Sequence, residues 1–168
     1  MRMTKRGKRR LIFLLVVIAV AATGIVTYQQ LSQRSRQNIA QEARQAGMAA
    51  YEKGNYQEAI SDLSAAVTRD KQDVEALLAF GDCRTRISLT NRRHLYEGIA
   101  IYRQALKVDP DNMEALEHLL ELYHRVGYRV EAMEIADRIL EIDDSHVDAW
   151  AAKLANALFE SNFDEAID

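Results

Sequence analysis

The chain has 168 residues, 48% of them apolar, with 22 basic and 25 acidic side chains. That length suits one folded domain, and its net charge of −3 conceals a division. Residues 1–36 carry +8 with no acid and the remainder carries −11, so the acidic part excludes nucleic acid, whose phosphates require basic patches.

Residues 1–10 form a basic amino terminus containing Arg2, Lys5, Arg6, Lys8, Arg9 and Arg10. Leu11 to Tyr28, LIFLLVVIAVAATGIVTY, then runs without a charge. Eighteen helical residues at 1.5 Å each span about 27 Å, close to the roughly 30 Å of a hydrocarbon core. The spacing predicts one transmembrane helix over 11–28. Basic residues stay on the cytoplasmic side, so the amino terminus is predicted inside and everything downstream outside. A cleaved signal peptide is the rival, since Ala19-Val20-Ala21 fits small-x-small cleavage. The apolar run continues through Ile25 and Val26, which favours an uncleaved anchor. Both readings export the rest of the chain. Residues 29–39, QQLSQRSRQNI, are polar without Gly or Pro and predict a helical or semi-rigid stalk.

From residue 40 one pattern of small and large apolar residues recurs. Gly47 to Gly81, Leu120 to Leu154 and Ala132 to Ala166 are each 34 residues apart. A period of 34 with small residues at fixed phase marks a stacked array of helix-turn-helix units. Such arrays bind proteins and carry no chemistry of their own. Four copies result: 40–73, 74–112, 113–146 and 147–168. The second is longer, because Gly81 to Leu120 and Ala59 to Gly98 are 39 apart. Five extra residues fall around Ile87–Leu95, where Arg92, Arg93 and His94 predict a basic, solvated loop tip. The fourth copy opens at Val147 with Trp150 at its fourth position, reaches its turn at NFDEAI and stops at Asp168, as a truncated copy of a longer array would. Asp111 before Glu114 and Ser145 before Asp148 read as helix-capping pairs. Leu63, Tyr102 and Trp150 are expected to fill gaps between units, with small residues where helices cross 8–10 Å apart. Cys83 is the only cysteine, so no intrachain disulfide forms; it reads as a small buried hydrophobe rather than a reactive thiol.

Position by position the copies resemble the tetratricopeptide repeat (TPR). YEKGNYQEAI (Tyr51–Ile60), Pro110 near the end of copy two, and Leu116, Tyr123, Gly127, Ala132 and Ile139 in copy three carry the likeness. The resemblance implies an all-α, right-handed superhelical solenoid, here preceded by the transmembrane helix. It also implies that the first helix of each unit lines a concave groove through positions 2, 5, 9, 12 and 13. On this chain these are Gln41, Arg44, Met48, Tyr51 and Glu52, then Glu75, Leu78, Asp82, Thr85 and Arg86. Copy three supplies Glu114, Glu117, Glu121, His124 and Arg125. The partner-binding set is Arg44, Met48, Tyr51, Glu75, Asp82, Glu114, Glu117, Glu121, His124 and Arg125. Met48 and Glu114 stand where the family's carboxylate clamp needs Asn and Lys, which argues against gripping acidic chaperone tails.

No Gly-rich phosphate loop, HExxH, CxxC or GxSxG occurs. His94, His118, His124 and His146 are scattered and read as surface residues. The expectation is a non-enzyme without cofactor, metal or small-molecule substrate. It is a membrane-anchored scaffold for protein or peptide partners of basic character, with its repeats extracytoplasmic, as in a bacterial periplasm. It would serve assembly of an envelope or secretion complex, a placement drawn from architecture. The alternative is the recruitment arm of a larger transferase or protease whose catalytic domain lies beyond residue 168.

Overall fold

The computed structural model describes the backbone of residues 5–87 and 92–165. Side chains of residues 5–22, 26, 33–37 and 160–165 lie outside that description. Seven helices occur among the described residues: α1 (Lys5–Glu52), α2 (Tyr56–Arg69), α3 (Val74–Arg86), α4 (Arg93–Val108), α5 (Met113–Val126), α6 (Arg129–Ile142) and α7 (Val147–Glu165). The chain divides into two compact units, residues 1–39 and 40–168. α1 is unbroken, so residues 29–39 are helical. Most side chains of the expected membrane span, Leu11–Tyr28, lie outside the described residues. Among the described residues no helix is long and apolar enough to cross a membrane.

Within residues 40–168 each helix packs chiefly on its neighbours in sequence, the arrangement of a one-dimensional array. Its local signals recur with the repeat. Asp70, Asp109 and Asp143 end α2, α4 and α6 in extended conformation. Each donates its backbone N–H to a carbonyl four residues back, at Ala66, Ala105 and Ile139. Three residues after each aspartate comes the next helix cap. Asp73 and Asn112 side chains accept from Ala76 and Ala115 N–H at 3.0 Å. At the third site His146 Nδ1 accepts from Ala149 N–H at 3.3 Å. These caps correct the expected ones, Asp111 and Ser145, by one residue. Ser145 is engaged instead by Asp143, which accepts its N–H at 3.0 Å and its hydroxyl at 2.6 Å. Those two hydrogen bonds hold the Asp143 carboxyl below its usual range.

The core runs along the helix crossings. Ala59, Ala76, Ala105, Ala115 and Ala136 are wholly buried, as are Leu63, Leu77, Leu116, Leu119 and Ile139. Each fully buried Leu or Ile contributes roughly 1.5–3 kcal/mol of apolar transfer. The small residues are required by distance. A Cβ on Gly47 would lie 2.8 Å from Leu63 Cγ and 2.9 Å from Leu63 backbone N, so α1 and α2 could not approach so closely. Tyr102 is also fully buried. Its ring tip lies over Gly81, where a Cβ would meet Cζ at 2.7 Å.

Turn chemistry explains one departure from the pattern. Gly127 ends α5 at φ 84, its N–H donating to the Tyr123 and His124 carbonyls. Gly54 turns the chain at φ 76. One repeat after Gly127 stands Ser161, which lacks glycine's easy access to positive φ. Among the described residues the turn expected at NFDEAI accordingly does not form, and α7 continues to Glu165. Trp150, expected to fill a gap between units, is 53% exposed, and its indole N–H donates to the Asp144 carbonyl at 2.8 Å. No helix covers that face of α7 among the described residues.

The insertion in copy two is shared between loop and helix. Residues 87–92 connect α3 to α4, against two residues between α5 and α6, and α4 has 16 residues where α2 and α6 have 14. Residues 88–91 lie outside the described residues. Arg92 turns the chain in the left-handed region at φ 56. Arg93 belongs to α4 and pairs with Glu97 at 2.8 Å. His94, expected at a basic loop tip, is buried at 6% exposure, because α4 begins early enough to turn it inward.

Candidate functional site

Among the odd-numbered helices, polar side chains link α1 to α3 and α5 to the start of α7. Arg44 of α1 donates from Nε to Asp73 at 2.6 Å and also pairs with Glu75. The hydrogen bond to Asp73 is the main cause that raises the guanidinium's pKa. Two turns along, the Tyr51 hydroxyl donates to Asp82 of α3 at 2.9 Å. Burial, followed by that bond, pushes the Tyr51 phenol up to about 12. Arg86 donates from Nε to the same Asp82 oxygen at 2.6 Å. Its guanidinium also lies 5.1 Å from the Tyr56 ring centroid. Asp82 is itself buried, at 7% exposure, and these two donors satisfy its side-chain oxygen.

The α1–α3 end of the face therefore spends its polar groups on itself. Met48 is half-buried against the core, where a sulfur side chain fills space between helices. Leu78 is buried, and the Thr85 hydroxyl donates to the Asp82 carbonyl at 3.0 Å. Of the first two copies' expected groove residues, then, Met48 and Leu78 are packing groups. Arg44, Glu75, Tyr51, Asp82 and Arg86 form paired networks. Beside them the Cys83 thiol has no exposed surface, and burial pushes it up to about 11. That environment is a structural cysteine's.

The α5–α7 end differs. Glu114, Glu117, Glu121, His124 and Arg125 are exposed along α5. Glu117 meets His146 Nε2 at 3.0 Å, and Glu121 meets Arg125 at 3.4 Å. Because His146 Nδ1 accepts the Ala149 N–H, its proton sits on Nε2 and is donated to Glu117. The imidazole thus caps α7 and steadies a groove carboxylate together.

Between α5 and α7 lies an open cleft of 650 Å³. Its floor is apolar, from Leu120, Ala151, Ala152 and Ala155, and its rim includes Glu117, Glu121, Asp148 and Arg125. His118, His124 and His146, expected as scattered surface residues, all line it. His118 is held by stacking on Tyr102, with ring centroids 4.7 Å apart and planes at 18°. Among the described residues no group of three or more His, Cys, Asp or Glu is arranged to hold a metal ion.

Sequence reasoning missed Asp73, His118, His146 and Asp148 on this face. Asp73 and His146 precede their helices by one residue, and Asp148 is position 2 of copy four, so the positional pattern had to be carried one unit further. His118 carries no such signal, since it depends on Tyr102 arriving from α4.

Residues 44–86, from the end of α1 through α3, match the family model described as tetratricopeptide repeat. The fold is a TPR solenoid. MamA superposes with a TM-score of 0.59 at 19% identity, over 68% of this chain and 60% of its own. YrrB, described as a TPR protein with an unusual peptide-binding site, gives 0.56 at 24% identity over 68% and 56%. The first TPR of Spaghetti (RPAP3), bound to the HSP90 peptide SRMEEVD, gives 0.56 at 16% identity over 72% and 96%. At such identities these likenesses establish the TPR fold and nothing finer. In sequence, 97 residues are 29% identical to the probable UDP-N-acetylglucosamine–peptide N-acetylglucosaminyltransferase SPINDLY of Solanum lycopersicum. The match takes 58% of this chain but a tenth of that enzyme's length, and does not show catalysis here.

Proposed function

We propose that this chain is a membrane-anchored scaffold whose TPR repeats hold an extended segment of a partner protein against the odd-helix face. The observation that carries this reading is the α5–α7 cleft, large enough for a peptide's side chains and lined by an apolar floor with polar groups above it. The RPAP3 repeat in complex with a peptide supports that mode of use for the fold. Exposed Glu114, Glu117 and Glu121 favour a basic segment. The uncharged run Leu11–Tyr28 behind six basic residues supports an anchor with repeats on the extracytoplasmic side. In a bacterial cell that side is the periplasm, and the scaffold would serve an envelope or secretion assembly.

A reporter enzyme fused after residue 40 is expected to be active only outside the cytoplasm and to sediment with membranes. Cytoplasmic activity contradicts the topology; export in soluble form, with a new amino terminus near Ala22, favours the cleaved signal. In the same membranes Ala155→Trp, which fills the cleft, is expected to lose a partner that co-purifies with the wild-type chain. Retention of that partner places binding elsewhere.

The second reading, recruitment arm of a larger enzyme, is favoured by the SPINDLY relative, in which the matched residues form a small part of a transferase. A catalytic domain encoded downstream in the same reading frame would decide for it.

A further inference from the structure

The two ends of the odd-helix face differ in the charge they leave available. At the α1–α3 end Arg44 and Arg86 pair with Asp73, Glu75 and Asp82, and Tyr51 donates into the same network. At the other end Glu114, Glu117, Glu121 and Asp148 are exposed, and among the described residues Glu121 alone of these is paired with a guanidinium, that of Arg125. Glu121 meets it at 3.4 Å, with both groups largely in solvent, and such a contact is weak. Glu114 and Asp148 enter no ion pair among the described residues. Glu121 and Asp148 rim one cleft, from α5 and α7, above a floor of Leu120, Ala151, Ala152 and Ala155.

We propose that this cleft seats one basic side chain, lysine or arginine, of the partner segment. The methylene stem lies on the alanine floor and the charged head lies between Glu121 and Asp148. Long cationic side chains suit such a site because their stems are apolar while their heads need a wet, charged rim. The small residues of α7 make the seat: Ala151 and Ala155 leave the space that a longer side chain would occupy. At the α1–α3 end the three carboxylates are already held by Arg44 and Arg86, so that end offers no free carboxylate of the kind Asp148 presents. This assignment rests on the groove reading above and adds to it the identity and place of the anchoring residue.

The test uses the full chain in detergent with labelled heptapeptide pools, N-acetylated and C-amidated. The pools are randomised over uncharged residues around a fixed central Lys, Arg, Leu or Glu. Binding is read by fluorescence anisotropy. The Lys and Arg pools are expected to bind about five- to tenfold more tightly than the Leu pool, with the Glu pool weakest. Glu121→Gln with Asp148→Asn is expected to bring the pools together, while Glu134→Gln, on α6, leaves the preference intact. If all pools bind alike and Ala151→Trp abolishes binding, the groove stands and the cationic seat is overturned. A preference that survives the double substitution also overturns the seat. If no pool binds, the seat and the groove reading fail together.

Discussion

The hydroxyl of Tyr102 is buried and has no hydrogen-bond partner among the described residues. Burial drives its phenol pKa upward, as expected for a group that gains nothing by ionising. Its ring, by contrast, fills the space above Gly81 and stacks on His118. Removing the oxygen alone should therefore cost little, whereas removing the ring opens a cavity. Tyr102→Phe is expected to change unfolding free energy by no more than about 1 kcal/mol, in the stabilising direction. Tyr102→Ala should cost about 3–5 kcal/mol. Urea unfolding of both variants checks this, and a large loss for Tyr102→Phe would reveal a partner for the hydroxyl. Tyr51 gives a pH signature of its own. Its folded-state pKa is raised from 10.0 to about 12, so the native state keeps the proton longer than the unfolded chain does. The stabilisation is complete below pH 10 and is lost as pH rises through about 12. The urea midpoint should fall between pH 10 and pH 12, and Tyr51→Phe should flatten that fall. These residue-level networks were only half legible in the sequence. Positional matching to the repeat named Arg44, Tyr51 and Asp82 as candidate groove residues. It could not show that they pair with one another, since that requires knowing that positions 5 and 12 of one helix face positions 2 and 9 of the next.

At the scale of elements, the 34-residue period was readable because close helix crossings demand small residues at fixed phase. Gly47 and Ala132 stand where their phases require, and the added five residues of copy two were visible as a shift from 34 to 39. The division of those residues between a loop and a longer α4 was not visible, since helix ends follow local hydrogen bonding and burial. His94 shows the consequence: polar in sequence, interior in structure. The unbroken α7 was obscured for a similar reason. NFDEAI resembles a turn by homology to other copies, but the glycine that makes Gly127 a turn is replaced by Ser161. Ala132 offers the direct check on phase. It is buried at 2% exposure in α6, whereas Glu134, two residues on, is exposed. Ala132→Leu should destabilise by about 1–3 kcal/mol through overpacking. Glu134→Leu should be nearly silent, and equal effects would show that the crossing lies elsewhere on α6.

For the whole molecule, the asymmetry of charge along one face is the feature with functional weight. The α1–α3 end binds its own side chains, and the α5–α7 end presents carboxylates beside an open cleft. A partner drawn to that end by charge should bind less tightly as salt rises, because attraction is screened over about 8–10 Å at physiological ionic strength. The most direct test is affinity purification from native cells with Glu114, Glu117 and Glu121 all changed to lysine, beside the wild type. Of these substitutions only Glu117→Lys breaks a hydrogen bond between helices, and that bond, with Glu117 half in solvent, is worth at most about 1 kcal/mol. Helicity and melting temperature should stay close to wild type while the co-purifying partner is lost. Capture of the partner at wild-type yield by the folded triple variant would contradict binding at the acidic end of the odd-helix face.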